Sequence, residues 1–275
     1  MAQTPVPESA PVAGESAYME EGLKGRTDIL FFSGFESDPW ETAWGMAWGP
    51  SPSSNIEIVS GKKAFLGNSL RVRYPKGLIG GDSACQWYTS FPKLGIEPRD
   101  EAYVRYYVRF DPKFQFVKGG KLPGLAGGQG NTGGKIPSGR DGWSARLMWR
   151  TDGRIVQYVY HPDQPGKWGE DFPWTLKGQP AFFKPGTWHC VETYVRMNTP
   201  GKKDGVLRSW LDGELALEVT SIRFREVPEL LIDAFYFSTF FGGGEPDWAP
   251  PKDQYVQFDS FVIAEGPIGP LPPRQ

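Results

Sequence analysis

The stretch WSARLMWRTDGRIVQYVY, residues 143–160, decides the fold class. Apolar and polar side chains alternate on both sides of an Asp-Gly pair, and successive side chains of a strand point to opposite faces of a sheet. The pattern predicts a β-hairpin with one apolar face and one face of cations and phenols. A three-residue loop, Thr151-Asp152-Gly153, is a common hairpin form. It pairs Ser144 with Tyr160, Arg146 with Tyr158, Met148 with Val156 and Arg150 with Arg154.

This register gathers four polar side chains into one cluster. Residues that stand directly opposite each other on one face have Cβ atoms ~5 Å apart. Ser144, Arg146, Tyr158 and Tyr160 are therefore expected to form a compact quartet. A two-residue Asp-Gly loop would turn both tyrosines to the other face, so the quartet depends on the length of the loop.

Short strand-like runs with turns between them fill the rest of the chain. Gly and Pro contribute 61 of 275 residues, aromatic residues make up 15%, and no twelve-residue stretch free of Gly and Pro has a helical period. We therefore predict an all-β fold, a β-jelly roll or concanavalin-like sandwich of two antiparallel sheets in a single domain. The domain is expected to span residues 28–266. A flexible leader (1–27), rich in Pro, Ala, Glu and Ser, precedes it, and an irregular tail (267–275) follows.

A second alternation, YVRYYVRF at 103–110, places Arg105, Tyr107 and Arg109 on one face. Residues 103–160 carry a net charge of +7, and the remainder carries −9 because the whole chain is −2. A local positive field on an acidic body attracts an anion to one place. We interpret Arg105, Tyr107 and Arg109 as a groove that holds a long anionic chain. Gln86 and Tyr88 share a face and either line that groove or pack.

The segment GGKLPGLAGGQGNTGG, residues 119–134, holds eight glycines. A phosphate-binding P-loop is excluded by the spacing, since Gln129 stands where the motif needs glycine and Ile136 where it needs Ser or Thr. Residues 126–139 are expected to form a flexible surface loop. Lys121 stands at the ordered end of the segment, and we expect it to point back over the sheet.

Other candidate residues carry weaker patterns. Glu36, Asp38 and Glu41 could supply the carboxylate pair of a glycosidase, but Pro39 would interrupt the strand such a site needs. His161 and His189 are interpreted as structural. The sequence does not decide whether Cys85 and Cys190 form a disulfide.

Composition excludes several classes of protein. The net charge of −2 lacks the overall basicity of many nucleic-acid binders, and no stretch approaches the ~20 apolar residues that span a bilayer. The start of the chain lacks the basic and apolar regions of a signal peptide. We expect a secreted or periplasmic protein whose signal has been removed, acting as a monomer without nucleic-acid or membrane partners.

A set of motifs resembles polysaccharide lyase family 14 over roughly residues 28–265. They are Lys121 in GGKLPGL, Ser144-x-Arg146, Tyr158-x-Tyr160, STFFGG (238–243) and NTPGKKDGVL (198–207). The family comprises alginate and glucuronan lyases with a β-jelly-roll fold. The resemblance implies a lyase that cleaves an anionic uronate polymer by β-elimination and needs no metal or organic cofactor. It also implies that the five residues Lys121, Ser144, Arg146, Tyr158 and Tyr160 are essential.

The chemistry of β-elimination suits these residue types. A cation must neutralise the carboxylate beside the C5 proton, a task for Arg146 or Lys121. Tyr158 or Tyr160 could act as base, acid or both, with Lys121 as a competing base, and Ser144 is expected to orient the substrate. A non-catalytic carbohydrate-binding jelly roll and a glycoside hydrolase are the alternatives.

Overall fold

The computed structural model describes residues 13–46 and 53–271, which contain β-strands and short 3₁₀ turns but no α-helix. No helix in this part of the chain is long or apolar enough to cross a membrane. The strands are β1 (Ala13–Gly14), β2 (Ile29–Ser33), β3 (Ile56–Ser60), β4 (Asn68–Tyr74), β5 (Cys85–Ser90), β6 (Glu101–Phe110), β7 (Gly119–Gly128), β8 (Gly142–Arg150), β9 (Ile155–Tyr160), β10 (Glu170–Pro173), β11 (Thr175–Leu176), β12 (Gln179–Pro180), β13 (Trp188–Arg196), β14 (Gly205–Leu211), β15 (Glu214–Ile222), β16 (Ala234–Phe241) and β17 (Gln254–Ala264). The 3₁₀ turns are Ser16–Tyr18, Trp40–Trp44, Ser53–Asn55, Gly61–Lys63, Gly81–Ser83, Phe91–Leu94, Thr151–Gly153 and Pro246–Trp248.

Two sheets account for most of these strands. The nine-stranded sheet has the order β1-β2-β17-β6-β13-β14-β15, with β4 also pairing β17 and β3 pairing β4. The six-stranded sheet has the order β10-β9-β8-β7-β16-β5, and β11 with β12 form a small ribbon. Neighbours are antiparallel except β1 and β2, which are parallel. The predicted all-β sandwich of two antiparallel sheets is confirmed.

One apolar core lies between the two sheets. Alternate residues of β6 and β8 point into it, among them Tyr106, Phe110, Trp143 and Trp149, all almost completely buried. Fully burying a large apolar side chain is worth about 1.5–3 kcal/mol, so the alternation fixes which face of each strand turns inward. The other face of each strand, which carries the cations and phenols, must then point outward.

The predicted hairpin is confirmed in its register. Ser144 stands opposite Tyr160, and Arg146 stands opposite Tyr158. The Arg150 N–H donates to the Arg154 carbonyl at 2.7 Å, which closes the three-residue loop. Both Asp152 (φ 61°) and Gly153 (φ 85°) are left-handed, a conformation that Asp tolerates better than most residues.

The glycine-rich segment differs from expectation, because residues 126–128 belong to strand β7 rather than to a loop. β7 lies between β8 and β16, and its glycines leave no room for side chains. A Cβ on Gly124 would lie 2.2 Å from the Ala145 carbonyl oxygen, and one on Gly120 would lie 2.1 Å from the Trp149 ring. Close packing, not flexibility, explains the glycines here.

The sequence predicts a flexible leader over residues 1–27, but residues 13–27 pack on the outer face of the nine-stranded sheet. Met19 and Leu23 join a small apolar cluster with Phe32 of β2. Glu20 forms a 2.8 Å ion pair with Arg105, and both side chains are 1% exposed. Residues 1–12 lie outside the described part of the chain.

Residues 267–271 of the C-terminal tail are without strands and are fastened to the same outer face. The Ile268 and Gly269 N–H groups donate to the Glu192 carboxylate at 2.9 and 2.8 Å. The Leu271 N–H donates to the Tyr107 hydroxyl at 2.6 Å. Residues 272–275 are outside the described range.

The two cysteines are free thiols, a question that the sequence left open. Cys85 lies in β5 of the six-stranded sheet and Cys190 in β13 of the nine-stranded sheet, and both are buried. Burial raises the pKa of Cys190 to about 12, so its thiol stays protonated.

Loss of the buried ion pair is expected to destabilise the fold. Glu20→Ala leaves the Arg105 guanidinium buried without its carboxylate, which should lower the free energy of unfolding by about 3 kcal/mol. Glu21→Ala is the matched control, because the exposed Glu21–Lys24 pair should be worth less than about 1 kcal/mol. Urea denaturation measures both, and equal midpoints for the two variants would contradict this assignment.

Candidate active site

The predicted quartet lies on the outer face of the six-stranded sheet. Met148, Val156, Tyr158 and Tyr160 pack together there, away from the main core, with Trp248 against them. β8 and β9 position these residues, and β7, β16 and β5 extend the same face to the far edge of the sheet. The site is therefore built on strands, which hold its side chains rigidly.

Arg146 is a buried cation without an acidic partner. It is 2% exposed, and among the residues that the structure describes no carboxylate forms an ion pair with it. Its Nη1 donates to the Ser238 hydroxyl at 2.8 Å, its guanidinium lies 4.9 Å from the Tyr236 ring centroid, and its Nε has no hydrogen-bond partner. Burial lowers the pKa of Arg146. A buried, unpaired guanidinium is suited to bind an anionic ligand.

Lys121 reaches the same place from β7, as the sequence predicted. Its Nζ lies 2.7 Å from the Met148 sulfur and 4.0 Å from the Tyr158 ring centroid. Burial, followed by the charges of Arg146 and Arg150, holds the pKa of Lys121 well below its ordinary value. A lysine in this setting gives up its proton readily and can act as a base.

The two tyrosines are held by backbone groups of two glycines. The Gly169 N–H donates to the Tyr158 hydroxyl at 3.1 Å, and the Gly134 N–H donates to the Tyr160 hydroxyl at 3.0 Å. Each phenol oxygen thus accepts a hydrogen bond, which leaves its own proton to be donated. Burial is the main cause that raises the pKa of Tyr158, so that phenol keeps its proton.

Ser144 is placed beside Tyr160, and its hydroxyl is bound within the chain. Its side chain is fully buried, and its hydroxyl donates to the Asn131 carbonyl at 2.7 Å. That Ser144 orients the substrate stays a prediction. Its contact holds the 129–134 loop over the sheet.

Gln86 and Tyr88 do share the face of the quartet. β5 pairs with β16 so that Gln86 stands opposite Ser238 and Tyr88 opposite Tyr236. Gln86, Tyr88 and Tyr236, together with residues of the 129–132 loop, line a cavity of about 440 Å³. Because Tyr236 also contacts Arg146, the cavity lies next to the unpaired cation.

The prediction that Arg105, Tyr107 and Arg109 belong to the same groove is wrong. β6 lies in the nine-stranded sheet, so these residues point out of the opposite side of the molecule. Arg105 pairs with Glu20, Tyr107 accepts from Leu271, and Arg109 donates to the Gly186 carbonyl at 3.1 Å. Polar and apolar side chains do alternate along β6, but Arg105, Tyr107 and Arg109 bind other groups of the same chain.

A larger cavity, of about 760 Å³, also lies on the nine-stranded sheet. Carboxylates line it, namely Glu20, Glu21, Glu36, Asp212 and Asp259. Glu20 and Glu21 in this lining are paired with Arg105 and Lys24, so the cations here already have carboxylate partners. The smaller cavity beside the unpaired Arg146 is therefore the better candidate for an anionic ligand.

The acids and histidines of the sequence take structural roles. Glu36 accepts from the Asn68 N–H at 2.7 Å, on the side away from the quartet. His161 and His189 each contact one carboxylate at 2.8 Å, from Glu170 and Asp212. Neither set adds a residue to the quartet.

Sequence reasoning missed Tyr236 and Ser238 as members of the site. Both lie on β16, in the run AFYFSTFF, where Tyr236 and Ser238 alternate with Phe235 and Phe237. That alternation was visible, but it did not show that β16 would lie two strands from β8. Met148, placed on the correct face, was given no role, although it contacts the Lys121 amine.

The chain resembles known polysaccharide lyases. The sequence profile of Polysaccharide lyase 14 matches residues 63–261. The solved structure of alginate lyase Aly36B is 30% identical, with a TM-score of 0.70 over 84% of this chain and 91% of its own. An Aly36B variant with a lysine and a methionine changed to alanine has been solved with an alginate trisaccharide, at 28% identity and a TM-score of 0.71 over 84% of this chain and 92% of its own.

More distant structures share the architecture. The PL-14 alginate lyase from Aplysia kurodai is 29% identical, with a TM-score of 0.66 over 78% of this chain and 89% of its own. The endo-β-1,4-glucuronan lyase from Trichoderma reesei is 14% identical, with a TM-score of 0.50 over 79% of this chain and 91% of its own, a likeness of fold alone. No curated protein is significantly similar in sequence. The predicted jelly-roll fold is confirmed by these likenesses.

An unpaired buried cation should contribute little to stability. Arg146→Met removes a charge that no carboxylate neutralises, so the free energy of unfolding should fall by less than about 1 kcal/mol, or rise. Arg225→Met is the matched control: Arg225 is also buried, but it pairs with Asp100 at 2.7 Å and donates to three carbonyls, so its loss should cost about 3 kcal/mol. Urea denaturation compares the two, and a larger loss for Arg146→Met would contradict the unpaired assignment.

Proposed function

The chain belongs to polysaccharide lyase family 14, and from this premise we propose that it cleaves alginate by β-elimination. In this reaction Arg146 binds the uronate carboxylate, Lys121 is the base and Tyr158 is the acid. The family match and the similar structures support a uronate-cleaving lyase. Alginate is favoured over glucuronan because the relatives near 30% identity are alginate lyases, whereas the glucuronan lyase shares only the fold. The observation that carries the proposal is the unpaired, buried guanidinium of Arg146, on the same face of the sheet as Lys121 and Tyr158.

Arg146 provides the cation that neutralises the carboxylate of the substrate. The proton on C5 of a uronate is weakly acidic, and its removal places negative charge on the neighbouring carboxylate. Arg146 stands fixed in β8, with its charge already desolvated and uncompensated. A preorganised cation of this kind stabilises the developing enolate more than the ground state.

Lys121 supplies the base. Burial and the neighbouring arginines hold its pKa well below the ordinary value, which favours the unprotonated amine, and this form can accept the C5 proton. Its contact with Met148 also supports this placement, since a lysine and a methionine are the residues replaced in the Aly36B variant that binds an alginate trisaccharide. The electron pair of the C5–H bond then forms the C4=C5 double bond as the C4–O bond breaks.

Tyr158 supplies the proton for the leaving oxygen. Its hydroxyl accepts from Gly169, so its own proton is available to donate. The pKa of Tyr158 is raised and that of Lys121 is lowered, so the phenolate binds a proton more strongly and the ammonium holds one more weakly. The proton therefore returns from Lys121 to Tyr158, which restores both groups to their starting states. The cycle consumes no water, and its product carries one new double bond.

The alternatives are less well supported. A glycosidase would need two carboxylates at the site, and Glu36 lies on the other side of the sandwich. A non-catalytic binder would need the cation and the aromatic side chains, but it would gain nothing from a lysine whose pKa is lowered beside a phenol. Ultraviolet absorbance of unsaturated products, screened on alginate, polymannuronate, polyguluronate and glucuronan, distinguishes the lyase from both alternatives. No absorbance on any of them would exclude the lyase.

Loss of the base is expected to abolish turnover with little effect on binding. Lys121→Ala should lower kcat by about 10³-fold and change KM by less than about threefold, because the amine acts mainly in the transition state. Lys118→Ala is the control, since Lys118 is exposed and pairs with Asp247. Retention of more than about a tenth of kcat in Lys121→Ala would rule out its role as the base.

Loss of the acid tests the second role separately. Tyr158→Phe keeps the ring under Lys121 and removes only the hydroxyl group, so kcat should fall by about 10²-fold. Steady-state kinetics on alginate measures the change. A near wild-type kcat would show that Tyr158 is not the acid and would leave Tyr160 or Lys121 for that role.

The pH dependence should follow the charges around Lys121. The base works only when unprotonated, so the rate should rise with pH through the lowered pKa of Lys121. Arg150 lies near Lys121 and binds Asp171 at 2.8 and 2.5 Å. Arg150→Gln removes this cation and leaves the Asp171 carboxylate without it, and both changes raise the pKa of Lys121. The acidic limb of the kcat profile should move up by about one pH unit.

The double variant Arg150→Gln/Asp171→Asn controls for that experiment. It removes the opposing charges together, so the acidic limb should return towards that of the wild type. An acidic limb that is identical in all three proteins would show that Lys121 is not the group that titrates.

A further inference from the structure

We propose that Trp168 and Lys167 form a sugar-binding subsite beside the reacting tyrosines. In this subsite the indole stacks on the ring of one uronate residue, and the Lys167 ammonium pairs with the carboxylate of that residue. The inference rests on the proposed function, because it assigns a further binding site for the same polymer.

Trp168 is exposed at a position that its surroundings hold firmly. It is 56% exposed, whereas Trp143, Trp149 and Trp174 are completely buried. Exposure alone would mean little, since single apolar side chains on a surface are common. The evidence for a subsite is the way the loop is built, where it lies and the charge it carries.

Gln164 fixes the conformation of the loop. This buried side chain donates from Nε2 to the carbonyls of Gly166, Lys167 and Trp168, at 2.8, 3.2 and 3.2 Å. Its Oε1 accepts from the His161 N–H at 3.2 Å, which ties the loop to the end of β9. A platform that is rigid before the ligand arrives loses little conformational entropy on binding.

The loop lies directly against the reacting groups. Gly169, next to Trp168, donates to the Tyr158 hydroxyl at 3.1 Å. Gly134, which donates to the Tyr160 hydroxyl, lies so close that a Cβ there would be 2.6 Å from the Lys167 Cε and 3.1 Å from the Trp168 ring. A sugar on Trp168 would therefore lie beside the sugar at Tyr158.

The charge at this place fits a uronate residue rather than a neutral sugar. The Lys167 Nζ lies 5.1 Å from the Trp168 ring centroid, and within residues 13–46 and 53–271 no carboxylate forms an ion pair with it. A pyranose ring presents C–H groups on one face, which pack on an indole, and the carboxylate at its edge can meet the ammonium. Aromatic and cationic groups together match both parts of the ligand.

Kinetics on alginate tests the subsite, after wild-type protein has been shown to release unsaturated product. Trp168→Ala should raise KM about tenfold with kcat within about twofold of wild type, the signature of lost binding shared by ground and transition states. Lys167→Gln should raise KM about threefold at low salt and have no effect at high salt, where the pair is screened. Lys167→Arg should restore the wild-type KM.

Two controls separate a subsite from a structural role. Tyr18→Ala removes an aromatic side chain that is 54% exposed at the nine-stranded sheet, and its KM should match that of the wild type. Titration of a Lys121→Ala background with alginate oligosaccharides gives Kd without turnover, and Trp168→Ala should weaken this binding as it raises KM.

Other outcomes overturn the inference. An unchanged KM and Kd in Trp168→Ala and Lys167→Gln would remove the subsite while leaving the lyase intact. A fall in kcat with unchanged KM would show that the loop only positions Tyr158. Absence of unsaturated product from the wild-type protein would instead reject the proposed function.

Discussion

Arg146 keeps its charge inside the outer face of the six-stranded sheet with only a serine hydroxyl and a tyrosine ring beside it. Burying a cation without a carboxylate is unfavourable, and one hydroxyl and one aromatic ring compensate for it only in part. The same charge contributes to the lowered pKa of Lys121. A uronate carboxylate would satisfy the guanidinium, and its binding would bring the C5 proton to the amine. The unfavourable burial of Arg146 is thus linked to both binding and proton transfer.

The two sheets carry similar alternations and use them differently. On β6 Arg105 pairs with Glu20, Tyr107 accepts from the Leu271 N–H, and Arg109 donates to the Gly186 carbonyl. On β8 the corresponding arginine, Arg146, has no carboxylate partner among the described residues and donates to the Ser238 hydroxyl instead. The N-terminal segment and the C-terminal tail close one face, so only the other face is left for an anionic polymer. Charge alone would not have distinguished them, because both strands contribute to the same positive segment.

Glycine serves two purposes in this site. Within β7, Gly124 stands in register between Arg146 and Tyr236 and has no side chain, and Arg146 reaches across β7 to Ser238 and Tyr236. In the loops, Gly134 and Gly169 present backbone N–H groups to the two phenols. The first use fixes the cation, and the second fixes the groups that transfer protons. The glycine content predicted a flexible loop over residues 126–139, whereas residues 126–128 are packed within β7.

The sequence by itself determined the all-β class, the register of the 143–160 hairpin and the presence of Arg146, Tyr158 and Tyr160 on one face. These follow from local rules: a period of two along each strand and a loop length that sets which residues face each other. Lys121 could be proposed from its motif, but its contact with Met148 could not. Only the tertiary structure decided that Arg105 is neutralised by Glu20, 85 residues away, and that Arg146 is left without an acid. Partners so far apart in the chain meet through the order of strands in the sheets, and no local periodicity encodes that order.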